Sequence, residues 1–394
     1  MPFSPLLIIA GMVHRGFNYM GPQWCLGLVL VLVYLAHKVW VRTGPLVSAL
    51  FLYLMVSGVL TFALPDPSLA DKPQLQMTLT TGALSAMVFL LAFVVVFINF
   101  SEIEDAAIKK CFGLATLINS AYVIIGQLKE WLLGLLLIYR DTKFPLHDYA
   151  ASLFLYLEKS YMFGRLSQGV GVSGFIDYSG MNACLIAIGI PFIKIGDDRK
   201  RLVAYLCAIL AIIFSKSSVP YGVLGAVMFS EIITNKKSID WRWLIPIPLT
   251  ACSALALEGG RLLDSAGRFS AYKLFFSAWA KDANLIFGTG PGSFQMIAPI
   301  VQLKNGFMIN QTSNSYFWLW AHSDWFQALL ENGIIGVTLA ASVFFVCLYR
   351  LYKKGEYDVL SMLCGIGAAA VFDFPLRYFI FSFLSCYAIA RAYL

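Results

Sequence analysis

One histidine heads the segment AHSDWFQALLENGIIGV, which runs from Ala321 to Val337. Asp324 precedes Gln327 at the spacing of a helix cap, and Asn332-Gly333 supplies a stop, so the sequence predicts a short helix over 324–332. His322 then sits just before the helix N-terminus, where unpaired amides and the positive end of the dipole favour an anion and disfavour imidazolium. An imidazole held neutral accepts a proton near pH 7, which is the task of a general base. Taken by itself, the plainer reading is a histidine in a loop at a membrane surface.

Other unusual residue choices gather in the same stretch, 259–332. It opens GGRLLDSAGR, ending at Arg268, and continues as an amphipathic run with Tyr272 and Trp279. It then reads GTGPGSF from Gly288 to Phe294. Glycines so spaced permit a tight turn and the close approach of another group. The GK[ST] ending of a nucleotide-binding loop is missing, so a structural turn is the better reading. Asp177, Asp264, Asp282 and Asp324 have no neighbours at metal or glycosidase spacing, and His322 with Asp324 is too little for a metal site. The eight cysteines lie in or beside apolar stretches with no CxxC pair, so neither zinc nor a disulfide framework is indicated. No cofactor is expected.

The order GR, aromatic-bearing helix, FGTGPGSF and AHSDWFQALLENGIIG resembles the C-terminal signature of the O-antigen ligase and polymerase superfamily. The likeness is sharp over 265–340 and architectural elsewhere. It implies a multi-span glycosyltransferase of the lipid-linked GT-C kind, inverting and metal-independent. Such an enzyme moves a glycan from undecaprenyl diphosphate to an acceptor hydroxyl at the periplasmic face of the bacterial inner membrane. The acceptor is lipid A-core in a ligase, a lipid-linked glycan in an O-antigen or exopolysaccharide polymerase, and a protein side chain in an O-oligosaccharyltransferase. His322 matches the family's essential histidine and Arg268 the arginine of its GR motif, so both are expected to be catalytic.

The resemblance also implies binding residues for diphosphate or sugar. A second family arginine lies in a short turn upstream, where this chain reads FSKSS with Lys216. Lysine keeps the charge and loses the bidentate fork that grips phosphate. Arg165, in GRLSQGVGVSGFIDYSGMN, resembles an arginine-and-glycine stretch preceding a helix, though a solvated loop arginine fits it too. Arg377, in DFPLR, either reaches the same site or pairs with Asp373. Tyr316, Trp318, Trp320 and Trp325 can stack on sugars, yet an interfacial aromatic belt explains them without a ligand.

The elements that must carry these residues are membrane helices. Of 394 residues, 59% are hydrophobic and 13% charged, about half the charge of a soluble domain, which excludes a water-soluble enzyme or a disordered chain. Apolar runs predict crossings near 2–20, 22–41, 45–64, 77–100, 111–139, 178–194, 201–215, 219–234, 242–258, 333–350, 357–372 and 374–393. The expected fold is therefore an all-α integral membrane protein of about 12 transmembrane helices, one polytopic domain over 1–394. The first run lacks a basic n-region and a clear cleavage site, and reads as a retained helix.

Basic residues fall on every second connection, among them Lys109 and Lys110, the cluster from Lys194 to Arg201, and Lys353 with Lys354. That pattern makes both ends cytoplasmic and sends the long segments 140–177 and 259–332 to the periplasm. Ser101 and Glu104 at capping-box spacing, with Asp105 four residues before Lys109, predict a cytoplasmic helix start. The net charge of +7 reports loop orientation, with no basic run for a nucleic acid. A lipid-linked glycan flippase or secondary transporter is the rival class. Transporters usually show internal repeats and charges within their spans, and this chain keeps its polar residues in the two long loops.

Overall fold

The computed structural model describes residues 44–63, 105–141, 166–167, 171–172, 176, 178–194, 197–234, 265–282, 285–305 and 321–393. Their regular structure is helical apart from one antiparallel pair of two-residue strands, β1 (Leu166–Ser167) and β2 (Gly171–Val172). The helices are α1 (Pro45–Ala63), α2 (Asp105–Asp141), α3 (Ser179–Gly189), α4 (Asp198–Phe214), α5 (Val219–Thr234), α6 (Ser265–Asp282), α7 (Phe294–Lys304), α8 (Asp324–Lys354), α9 (Tyr357–Phe372) and α10 (Phe379–Tyr393). Helices thus stand at the predicted positions 45–64, 111–139, 178–194, 201–215, 219–234, 333–350, 357–372 and 374–393, with ends shifted by a few residues. The runs at 2–20, 22–41, 77–100 and 242–258 lie outside the described residues.

Among the described residues two helical stretches are long and apolar enough to cross a membrane, Asp105–Leu132 and Asp324–Lys354. The second is not one continuous rod. Gly333 takes φ 64° and ψ −173°, a conformation reserved for glycine, and divides α8 into 324–332 and 334–354. The predicted stop at Asn332-Gly333 is present, and a second helix starts immediately beyond it. At 1.5 Å per residue the part after the break is about 31 Å long, the thickness of a hydrocarbon core.

The chain divides into two compact units, Met1–Ser101 with Phe269–Arg350 and Ile389–Leu394, and Glu102–Arg268 with Leu351–Ala388. In the second unit α9 packs on α5 and α3, and α2 packs on α4 and α3. Small residues set the separations. A Cβ on Gly113 of α2 would stand 2.2 Å from the Phe192 carbonyl oxygen, and one on Gly365 of α9 2.6 Å from Ile188 of α3 and 2.9 Å from Val227 of α5. Backbones that approach this closely gain dispersion contacts, the main attraction between helices in lipid.

Buried polar side chains in that unit pair across helices. Asn119 of α2 donates to the Asn182 side chain of α3 at 3.0 Å, and the Ser230 hydroxyl of α5 donates to Ser361 of α9 at 2.6 Å. At the predicted cytoplasmic helix start, Lys109 pairs with Asp105 at 2.8 Å, as their spacing requires, and also with Glu356 at 2.6 Å. The Tyr387 hydroxyl of α10 donates to Asp105. The proposed capping partners Ser101 and Glu104 lie outside the described residues.

A buried apolar core organises described residues of the first unit. Residues 271, 275 and 279 recur at helical spacing on α6, and Ala271, Phe275 and Trp279 form a buried core with Phe294, Ala298 and Val301 of α7 and Leu330 of α8. The Phe294 ring meets Phe275 edge-on at 5.2 Å and stacks near Trp279 at 6.1 Å. The run after Arg268 is therefore α6, whose buried residues Ala271, Phe275 and Trp279 pack with α7 and with Leu330 of α8.

Candidate functional site

A helix that stops at Gly333 leaves its last carbonyls without intrahelical partners, and the helix that follows leaves its first amides likewise. The segment 285–290, which leads into the GTGPGSF loop, pairs groups on both sides of the break. Its Thr289 and Gly290 amides donate to the Leu330 and Glu331 carbonyls at 3.1 and 2.7 Å. The Ile334 and Ile335 amides, beyond the break, donate to the Leu285 and Ile286 carbonyls at 2.8 and 3.3 Å. Trp279 Nε1 adds a bond to the Leu330 carbonyl at 2.8 Å, and the Tyr53 hydroxyl of α1 reaches the Asn332 carbonyl at 2.6 Å.

This exchange needs backbone against backbone. A Cβ on Gly288 or Gly333 would each lie 2.3 Å from a main-chain carbonyl oxygen of the opposite segment. The group that the glycines let approach is the protein's own broken helix, so GTGPGSF acts as a structural turn, as read from its sequence.

His322 stands two residues before α8, half-buried, with φ 51°. A left-handed backbone at a non-glycine residue costs of order 1–3 kcal/mol and persists only where the surroundings impose it. Four hydrogen bonds surround the bend. The Tyr272 hydroxyl of α6 donates to the His322 carbonyl at 2.9 Å. The Ala321 amide donates to Gln327 Oε1 at 3.3 Å. The Ser323 hydroxyl accepts from the Phe326 amide at 3.2 Å, and the Ser323 carbonyl accepts from the Gln327 amide at 2.9 Å.

Ser323, not Asp324, is therefore the helix cap. Asp324 lies in the first turn, where its charge suits the dipole. The predicted capping spacing was off by one because Ser and Asp adjoin here and both are good caps. Trp325 packs edge-on against Phe344 at 5.9 Å.

The remaining expected site residues stand as follows. Arg268 occupies the first turn of α6, one helical turn ahead of Tyr272, and its side chain lies outside the described residues. Lys216, in the second unit, is exposed in the turn between α4 and α5, again with φ 51°. Arg377 falls in a 3₁₀ turn, Pro375–Arg377, with its side chain outside the described residues. Asp373, just ahead of that turn, is fully buried and accepts from the Phe374 amide at 3.1 Å. Arg165, Tyr316, Trp318, Trp320, Asp177 and Asp264 lie outside the described residues. Among the described residues no three His, Cys, Asp or Glu side chains gather as metal ligands.

Two residues of this region escaped the sequence reading. The Glu331 carboxylate, 7% exposed, accepts from the Gly292 amide at 3.0 Å and the Phe294 amide at 3.2 Å. Gln327 Nε2 donates to the same carboxylate at 2.6 Å. A signal existed: Ser323, Gln327 and Glu331 recur every four residues, a polar stripe on one face of a short helix. Comparison of the chain with family models, with curated proteins and with solved structures finds no match.

Proposed function

We propose that the protein is a membrane glycosyltransferase that moves a glycan from undecaprenyl diphosphate to an acceptor hydroxyl at the periplasmic face, in the manner of an O-antigen ligase. The observation that carries this reading is the imposed left-handed bend at His322, tied by Tyr272 to the helix that bears Arg268 one turn earlier. Non-glycine residues held in this region cluster at active sites and ligand clamps.

The chemistry follows from the residue types. The donor's anomeric carbon is bonded to a diphosphate, a stable leaving group, so no nucleotide is needed. His322 takes the proton from the acceptor hydroxyl as its oxygen attacks that carbon. The carbon–oxygen bond to phosphate breaks on the opposite face, and Arg268 neutralises the charge gathering on the lipid diphosphate. One displacement gives inversion. Lys216, Arg165 and Arg377 are assigned to binding diphosphate or sugar. The apolar helices, about 12 by sequence, keep the polyprenyl tail in lipid, with both termini cytoplasmic.

The test uses purified protein, an undecaprenyl diphosphate glycan and separate acceptors: lipid A-core, a second lipid-linked glycan, and a serine-containing peptide. Release of lipid diphosphate with one extended product supports the reading and identifies the acceptor, separating ligase from polymerase and O-oligosaccharyltransferase. Movement of the lipid-linked glycan across vesicles without bond cleavage assigns the protein to the flippase class instead.

A further inference from the structure

The backbone exchange between residues 285–290 and the broken helix pairs the Leu330 and Glu331 carbonyls and the Ile334 and Ile335 amides without any help from a carboxylate. Glu331 is nevertheless buried there, and burying a charge is costly unless hydrogen bonds replace its water. Its two oxygens receive three donors, Gly292 N, Phe294 N and Gln327 Nε2. Gln327 is turned by this contact, because its amide nitrogen must face the carboxylate. Its oxygen is thereby left to accept from the Ala321 amide, the residue before His322.

The side chains of Glu331 and Gln327 thus form a continuous link from the glycine loop to the bend. Together with Tyr272 and Ser323, they hold the backbone on both sides of residue 322, which stands in the left-handed region. We propose that Glu331 and Gln327 are positioning residues for His322: the loop holds the carboxylate, the carboxylate orients the amide, and the amide holds the backbone that aims the imidazole. This rests on the general-base reading of His322 for its consequence in catalysis, though not for the mechanical link itself.

Two variants cut the link at different points. Gln327→Met keeps the volume and leaves the loop bonds of Glu331 in place, and Glu331→Gln sets one amide donor against another. Each full-length protein is purified, its folded fraction measured, and His322 modification by diethyl pyrocarbonate followed by mass spectrometry, with His14, His37 and His147 as internal standards.

Gln327→Met removes both the bond from Ala321 and the bond to the Glu331 carboxylate, and loss of the second alone predicts about tenfold faster modification of His322 with unchanged rates at the other three histidines. Glycan transfer is measured on the same samples. Turnover per folded molecule should fall about tenfold with KM for the lipid-linked donor unchanged. An unaltered His322 modification rate overturns the link. Faster modification with undiminished turnover per folded molecule overturns the positioning role. If the wild-type chain transfers no glycan to any acceptor, the glycosyltransfer reading fails separately, and the modification rates still decide the link.

Discussion

At the scale of single residues, the case turns on what His322 and Arg268 contribute beyond folding. A general base is worth typically 10²–10⁴-fold, so His322→Ala should reduce transfer by about that factor with normal membrane insertion and folded yield. A well-folded His322→Ala protein with wild-type transfer excludes the assignment. Arg268→Lys should lose less activity than Arg268→Ala, because charge survives where the bidentate fork does not; equal rates for all three forms would remove Arg268 from the reaction. His322 and Lys216 share an enforced left-handed backbone, at 51° each, although nothing in their side chains favours it. Such positions are invisible in a string of letters, since only the surroundings make them tenable.

At the scale of elements, the glycine loop and the broken helix α8 form one unit of construction. Gly333→Ala meets both an unfavourable backbone conformation and a carbonyl at 2.3 Å, and should lower the thermal unfolding midpoint and the yield of folded protein. In the helical bundle of the other unit, Gly113→Ala should cost about 1–3 kcal/mol, because its Cβ would overlap the Phe192 backbone. Gly225 of α5 has open space around it, so Gly225→Ala should be neutral or stabilise by up to about 1 kcal/mol. Unfolding in detergent ranks the three; a Gly225→Ala protein less stable than Gly113→Ala would contradict this account of the packing.

At the scale of the whole molecule, the prediction concerns orientation. If basic residues on alternate connections face the cytoplasm, Lys109 and Lys353 are expected on that side and Lys216 and His322 on the other. Single cysteines introduced at these four positions, probed with a membrane-impermeant maleimide on intact cells and after permeabilisation, should divide into those two pairs. The same label at residues 216 and 322 from opposite sides would undo the topology. The Asp105–Lys109–Glu356 cluster adds a check, since Glu356→Ala leaves Lys109 with one carboxylate in place of two. Being partly exposed, it should change stability by no more than about 1 kcal/mol.

The sequence by itself determined the helical, lipid-like character of the chain, the helix positions at 45–64, 111–139, 178–194, 201–215, 219–234, 333–350, 357–372 and 374–393, the stop at Gly333 and the turn at GTGPGSF, while the helix Phe294–Lys304 was not foreseen. Each of these depends on composition, periodicity or the special backbone of glycine, all local properties. Tertiary structure alone decided that the turn braces the broken helix, that Ser323 caps it ahead of Asp324, and that Glu331 and Gln327 reach back toward His322. The brace and the loop contacts of Glu331 depend on which buried donors and acceptors meet across about 40 residues of chain, and the cap and the Gln327 contact on which of several local partners the packed helix leaves within reach.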